Sequence, residues 1–219
     1  AFIAMVIGSL VLSIMIEWVG MALIWQDEGS MHSHNMLVQE ISYLNEDFRN
    51  SYLPVAPYKF AQLAASSTHF YLFEKTGFKY LLDSITQQHF LMEYPEIKSL
   101  LAEGYNKTAE YISAAMNITE LVAVRVSIAV LSILAFVLIA ITAFVDGLVE
   151  RDLRKFGGGI ERAMVYHYVK PHAKPIIIIS WMAYLSMPFS LHPNWIFVPA
   201  ALLFGIVIFV STSSFKKFL

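Results

Sequence analysis

Leu121 to Val145 reads LVAVRVSIAVLSILAFVLIAITAFV, and this stretch decides the class of fold. About 20 apolar residues of helix cross the hydrocarbon core of a bilayer. The run supplies them with Arg125 as its single charge. Ala1 to Trp25 is of the same kind, with Glu17 as its only charge. Ile176 to Leu191 is shorter, but Lys174 can snorkel below it and lengthen the span. Trp195 to Val210 continues through Ser211-Thr212-Ser213-Ser214 to Lys216 and Lys217. His192-Pro193-Asn194 is a tight polar break, so the last two runs are expected as a helical hairpin over 176–215. The first run is too long for a signal-peptide core and no small-residue cleavage pattern follows it. Because the chain opens on Ala1 rather than Met, a cytoplasmic leader is expected before it.

Composition agrees. The 219 residues are 57% hydrophobic and 15% charged, with a mean hydropathy of +0.58. Soluble domains sit near 45–50% and about 25% respectively. A net charge of −2 excludes a strongly basic nucleic-acid binder, and no direct nucleic-acid contact is expected. The absence of cysteine excludes a disulfide framework, a zinc ribbon, a thiol nucleophile and an iron–sulfur cluster.

Charge then fixes sidedness. Residues 26–120 carry six Lys/Arg against twelve Asp/Glu, whereas the much shorter 146–175 packs in six Lys/Arg. The positive-inside rule places 146–175 and the C-terminus in the cytoplasm and 26–120 outside, with both termini inside. The outer segment is too long for a connector and too apolar for disorder. Met36, Leu37, Ile41, Leu44 and Phe48 fall at helical spacing, with Glu40, Asn45 and Glu46 expected on the opposite side. A second amphipathic stretch runs from Tyr58 to Phe73, separated from the first by Pro54 and Pro57. Tyr80-Leu81-Leu82 and Ile97-Leu100-Leu101 read as further turns, punctuated by Pro95 and Gly104. The expected fold is an all-α integral membrane protein. It has four transmembrane helices (1–25, 121–145 and the 176–215 hairpin), a helical periplasmic domain over 26–120 and a cytoplasmic loop over 146–175.

Two stretches are more specific than composition. One is Ile16-Glu17-Trp18-Val19-Gly20-Met21, then Trp25, then His32-Ser33-His34-Asn35-Met36-Leu37. The other is Val145-Asp146-Gly147-Leu148-Val149-Glu150-Arg151-Asp152-Leu153-Arg154-Lys155-Phe156-Gly157, leading to Glu161-Arg162 and Tyr166-His167. Together they resemble the small membrane-protein family encoded in integrating conjugative elements. That family is similar to the inner-membrane partner of the coupling ATPase in conjugative type IV secretion systems. The likeness covers the first two spans, the start of the outer segment and the cytoplasmic loop; the last two spans match only in hydropathy. It implies a non-enzymatic inner-membrane subunit, embedded in lipid, with the coupling ATPase and other secretion-system subunits as partners. Self-association into a homo-oligomer stays open.

Candidate functional residues follow from cost. A carboxylate inside a span costs about 2.5–3.5 kcal/mol on insertion scales and normally faces a bundle interior or cavity. Glu17 sits roughly 12 Å inside the outer face by the helical rise, and Arg125 lies a few residues inside the same face. The two are expected to pair across antiparallel spans as structural glue fixing helix register. A proton or ion path is the sharper alternative, but no second acidic residue occurs in any span. In the cytoplasmic loop, Glu150 and Arg154 are expected to pair at i, i+4. Gly157-Gly158-Gly159 is expected to hinge rather than cradle phosphate, having no preceding strand and no following Lys-Ser/Thr. Arg151, Arg154, Lys155, Phe156, Tyr166 and His167 are the expected partner contacts, because aromatic groups interleaved with charge favour an interface. His32 and His34 are two residues apart without a third ligand, so no metal site is expected. Ser66, Ser67 and His69 lack a Gly-x-Ser-x-Gly elbow, so no catalytic residue and no cofactor is assigned. The sequons at Asn106 and Asn117 are read as chance in a bacterial setting. A channel or transporter subunit and a periplasmic ligand sensor remain the rival functions.

Overall fold

Small and polar residues dominate the buried face of the first helix. In α1 (Phe2–Leu23) the buried positions are Ser9, Ser13, Glu17, Gly20 and Met21, while Ile3, Ile7, Val11, Met15 and Val19 are exposed. Polar inside and apolar outside suits hydrocarbon rather than water as the solvent. The computed structural model describes residues 2–47, 57–77, 80, 95–157 and 163–215, and among these every regular element is helical. α2 covers Met31–Asp47 and α3 Pro57–His69, the latter closing in a π-helical turn over Phe70–Glu74. α4 runs from Pro95 to Phe156, and α5 is the short Ala163–Val169. A 3-10 turn over Lys170–His172 leads into α6 (Ala173–Ser186), and α7 is Asn194–Ser213.

Among the described residues three helical stretches are long and apolar enough to cross a membrane: Phe2–Leu23, Lys107–Phe156 of α4, and Asn194–Ser213. With 14 residues α6 is about 21 Å long, short of the ~30 Å hydrocarbon core. The break expected before α7 is present, since the regular helix resumes at Asn194.

The chain forms two compact units. The first comprises Ala1–Ser127 and Leu185–Ser190. Its core takes Met36, Leu37 and Leu44 from α2, Ala61 and Ala65 from α3, and Ala114, Ile118 and Leu121 from α4. Asn45 and Glu46 are exposed as expected, but Glu40 is fully buried at 0% exposure. The reason is periodicity. Glu40 lies four residues after Met36, three after Leu37 and four before Leu44, so it shares their face. The second correction concerns α4. No new element begins at Leu121, because one helix of 62 residues runs from Pro95 to Phe156. Pro95 suits a first helical position, where its missing N–H is not needed. Gly104, expected as punctuation, lies inside the helix, where glycine costs only about 1 kcal/mol. Phe48, Pro54, Leu81 and Leu82 fall outside the described residues.

The second unit comprises Ile128–Tyr184 and Leu191–Leu219. Here glycines set the helix packing. A Cβ on Gly147 of α4 would meet Thr212 Cβ at 2.8 Å and the Phe209 carbonyl at 2.9 Å. A Cβ on Gly205 of α7 would meet Ile139 at 2.6 Å. Phe136 packs edge-on against Phe204, with ring centroids 5.7 Å apart. These contacts advance in the same direction along both helices, so α4 and α7 run parallel. The stretch between them runs the other way. Tyr166 of α5 packs on Phe215 just beyond the end of α7, with centroids 5.3 Å apart, whereas Tyr184 of α6 packs on Phe197 near its start, at 5.0 Å. The described part of 146–175 is mostly helical, with Val145 to Phe156 continuing the second apolar run as a helix and α6 beginning at Ala173 instead of Ile176.

Candidate functional site

The first unit buries two polar centres, and the expected Glu17–Arg125 pair is neither of them. Each residue takes a different partner. Nδ1 of His32 lies 3.1 Å from Oε2 and 3.4 Å from Oε1 of Glu17, whose side chain is 1% exposed. His32 stacks on Trp25, with ring centroids 4.0 Å apart and planes inclined by 18°. Trp25 can lie there because Gly20 has no side chain: a Cβ on Gly20 would collide with the indole ring. The chain reverses between α1 and α2 through Gly29, whose φ of +52° is a conformation that favours glycine. A side chain at Gly29 would also collide with Glu110 of α4. Nδ2 of Asn117 then donates to the Ser30 carbonyl at 3.2 Å and to Ser33 Oγ at 3.4 Å. Trp18 Nε1 donates to the Tyr111 carbonyl at 3.0 Å. Glu17, Gly20, Trp25 and His32, picked out in sequence as one motif, therefore form one corner between α1 and α2.

The second centre is built on Arg125. Its Nε and Nη2 donate to Oε1 of Glu40 at 3.0 and 2.9 Å. Nη1 donates to the Met187 carbonyl at 2.6 Å and Nη2 to the Phe189 carbonyl at 3.1 Å. The planar guanidinium thus joins α2, α4 and the segment after α6 through one carboxylate and two free backbone carbonyls, a task that suits its fixed fork of donors. Neighbouring ties serve the same packing. Ser13 Oγ donates to the Leu185 carbonyl at 3.0 Å, and Ser190 Oγ to the Met36 carbonyl at 3.1 Å. His69 meets Glu120 at 2.6 Å, joining α3 to α4, while Ser66 bonds back to the Leu63 carbonyl. His34 is exposed and apart from His32's centre. Among the described residues no group of three His, Cys, Asp or Glu is placed to hold a metal ion.

The candidates from 146–175 lie in the second unit, and they do not share one role. Arg154 donates to the Ser213 carbonyl at 3.2 Å and, as expected, to Glu150 at 3.3 Å. Arg151 pairs with its neighbour Asp152 at 3.1 Å. Tyr166 leans on Phe215, and its hydroxyl accepts a hydrogen bond from Lys170 Nζ at 2.8 Å. Lys155, Phe156 and His167 face outward, Phe156 at 92% exposure, and Met164 and Tyr168 are exposed as well. Gly158, Gly159, Glu161, Arg162, Lys216 and Lys217 lie outside the described residues.

A family model described as IncC plasmid conjugative DNA transfer protein DtrJ-like matches residues 24–216. The chain belongs to the DtrJ-like family. The match bears out the conjugative setting expected from the two motifs, while the family description names an IncC plasmid rather than integrating elements. It also covers α6 and α7, which the motifs tied to the family by hydropathy alone. No curated protein and no solved structure matches the chain.

Proposed function

We propose that this chain is a non-enzymatic, four-pass subunit of the bacterial inner membrane that anchors or positions the coupling ATPase of a conjugative type IV secretion machine. The observation that carries the setting is the DtrJ-like match over 24–216. Four crossings are supported by the parallel course of α4 and α7. If both span the bilayer in the same direction, the chain between them must return across it. The excess of Lys/Arg in 146–175 supports a cytoplasmic location for that segment and for both termini. Lys155, Phe156, Met164, His167 and Tyr168 then form an outward-facing mixture of apolar, aromatic and basic groups suited to a protein partner. Arg154, through the Ser213 carbonyl, and Tyr166, through Phe215, hold α4 and α5 at the end of α7.

Affinity purification from detergent extracts of cells carrying the whole transfer system tests the reading. The coupling ATPase is expected to copurify with the native chain. Recovery and DNA transfer are expected to fall together with Lys155→Glu plus Phe156→Ala at unchanged membrane levels. Phe156→Ala plus Met164→Ala, which reverses no charge, separates docking from insertion. Full transfer and partner recovery in both variants would place the contact elsewhere.

A further inference from the structure

The described residues of the second unit enclose a cavity of about 460 Å³. That volume lies within the ~300–1,000 Å³ of small-molecule sites. Its walls are apolar: Phe144 and Leu148 from α4, Ile208 from α7, and Phe215 just beyond. Two cations also line it, Arg151 and Lys170. Tyr166 adds a hydroxyl that already accepts from Lys170. Ser211, another lining residue, is buried at 9% exposure, and its Oγ has no hydrogen-bond partner. Among the described residues the carboxylate on these cations is Asp152, which holds Arg151 through one oxygen and is itself 54% exposed. A pair whose carboxylate faces solvent is weak, and Arg151 can exchange it for another anion.

This combination selects a ligand with one anionic end and one hydrocarbon end. The cations sit where the apolar stretches of α4 and α7 give way to polar sequence, which is the depth of a lipid headgroup when both helices span. Basic pockets between membrane helices on the cytoplasmic side hold anionic headgroups by the same physics. We propose that the cavity binds one anionic phospholipid of the cytoplasmic leaflet. Its phosphate lies between Arg151 and Lys170, an ester or glycerol oxygen meets Ser211, and an acyl chain runs along Phe144, Leu148 and Ile208. The site rests on the membrane-spanning reading above, but not on the identity of the protein partner.

Native mass spectrometry of the full chain, released from micelles containing either dioleoyl phosphatidylglycerol or dioleoyl phosphatidylcholine, tests the site. One phosphatidylglycerol is expected to remain bound where phosphatidylcholine is lost. Arg151→Gln with Lys170→Gln is expected to weaken retention by about thirty-fold, from the contribution of two interfacial cations. Lys59→Gln, an exposed cation outside the cavity, is expected to leave it unchanged. Ala173→Leu, which keeps both cations but fills the apolar wall, is expected to weaken retention as well. Unchanged far-UV circular dichroism confirms that each variant is folded. Equal retention of both lipids, or full retention in the double variant, overturns the site. Complete displacement by millimolar inorganic phosphate also overturns it, because a free anion would then suffice. Release of the protein from membranes by alkaline carbonate would reject the membrane reading itself, whereas firm membrane retention without lipid preference rejects only this site.

Discussion

Arg125 and Glu40 lie 2.9 Å apart, with side chains 1% and 0% exposed, and join α4 to α2. Neither charge can be solvated if the other is removed. Arg125→Gln or Glu40→Gln alone is expected to cost about 3–5 kcal/mol. The combined Arg125→Met, Glu40→Gln variant is expected to cost less than the sum of the two single changes. Denaturant unfolding of the purified protein in micelles, completed as a double-mutant cycle, measures the coupling. Strict additivity would show that the pair contributes nothing as a pair.

Glu17 is expected to be energetically independent of Arg125. Its partner is His32, so the losses from Glu17→Gln and Arg125→Gln should add to within about 0.5 kcal/mol. The same cycle run on Glu17 and His32 should show coupling. A large Glu17–Arg125 coupling, found in the same assay, would contradict the partners described here.

Gly20 carries the indole of Trp25 against its backbone. Gly20→Val is expected to displace that ring and lower the amount of folded protein in the membrane, overpacking costing about 1–3 kcal/mol. Trp25→Leu, in the same chain, makes room and is expected to restore part of the loss. Immunoblots of membrane fractions report the outcome, and failure of the second change to rescue the first would sink the proposed steric cause.

The parallel crossing of α4 and α7 can be trapped covalently. The native chain has no cysteine, so Ile139→Cys with Gly205→Cys introduces the only two thiols. Mild oxidation is expected to close a disulfide within the chain, visible as a mobility shift that reductant reverses. Val130→Cys with Gly205→Cys, well over two helical turns further along α4, is expected not to close.

Sidedness has a direct readout. A reporter active only in the periplasm should work when fused after Lys75 and fail when fused after Lys170. The reverse pattern would invert every assignment built on the basic residues of 146–175.

Much of the helical character was legible in the sequence because it depends on local hydropathy and spacing. Phe2–Leu23, α7 and the Glu150–Arg154 pair emerged close to where the residues put them. The buried partners were harder to find. Glu17 and Arg125 were paired because both are costly in lipid, yet cost identifies a residue that needs a partner without saying which. Glu40 was available: its spacing from Met36, Leu37 and Leu44 puts it on the buried face, and only its charge argued for solvent. His32 carried no such periodic signal. Its place depends on the reversal at Gly29 and on the space left open at Gly20, which are long-range consequences of packing. The continuity of α4 was masked by a composition change near Leu121, which marks a change of surroundings rather than the end of a helix.

The close seating of α7 on Gly147 also has a consequence for biosynthesis. α4 emerges from the ribosome well before α7, because the whole stretch from Ala163 to Ser186 is made between them. During that interval the glycine notch of α4 has nothing to fill it, so the second unit matures only after the last helix has been made. A nascent chain halted before Asn194 keeps that notch open and gives protein quality control a feature that the finished protein hides. Pulse-chase labelling of such truncations should show faster turnover than of the full chain. Production of this subunit would then be all-or-none, with unfinished copies cleared before they can occupy a place in the transfer machine.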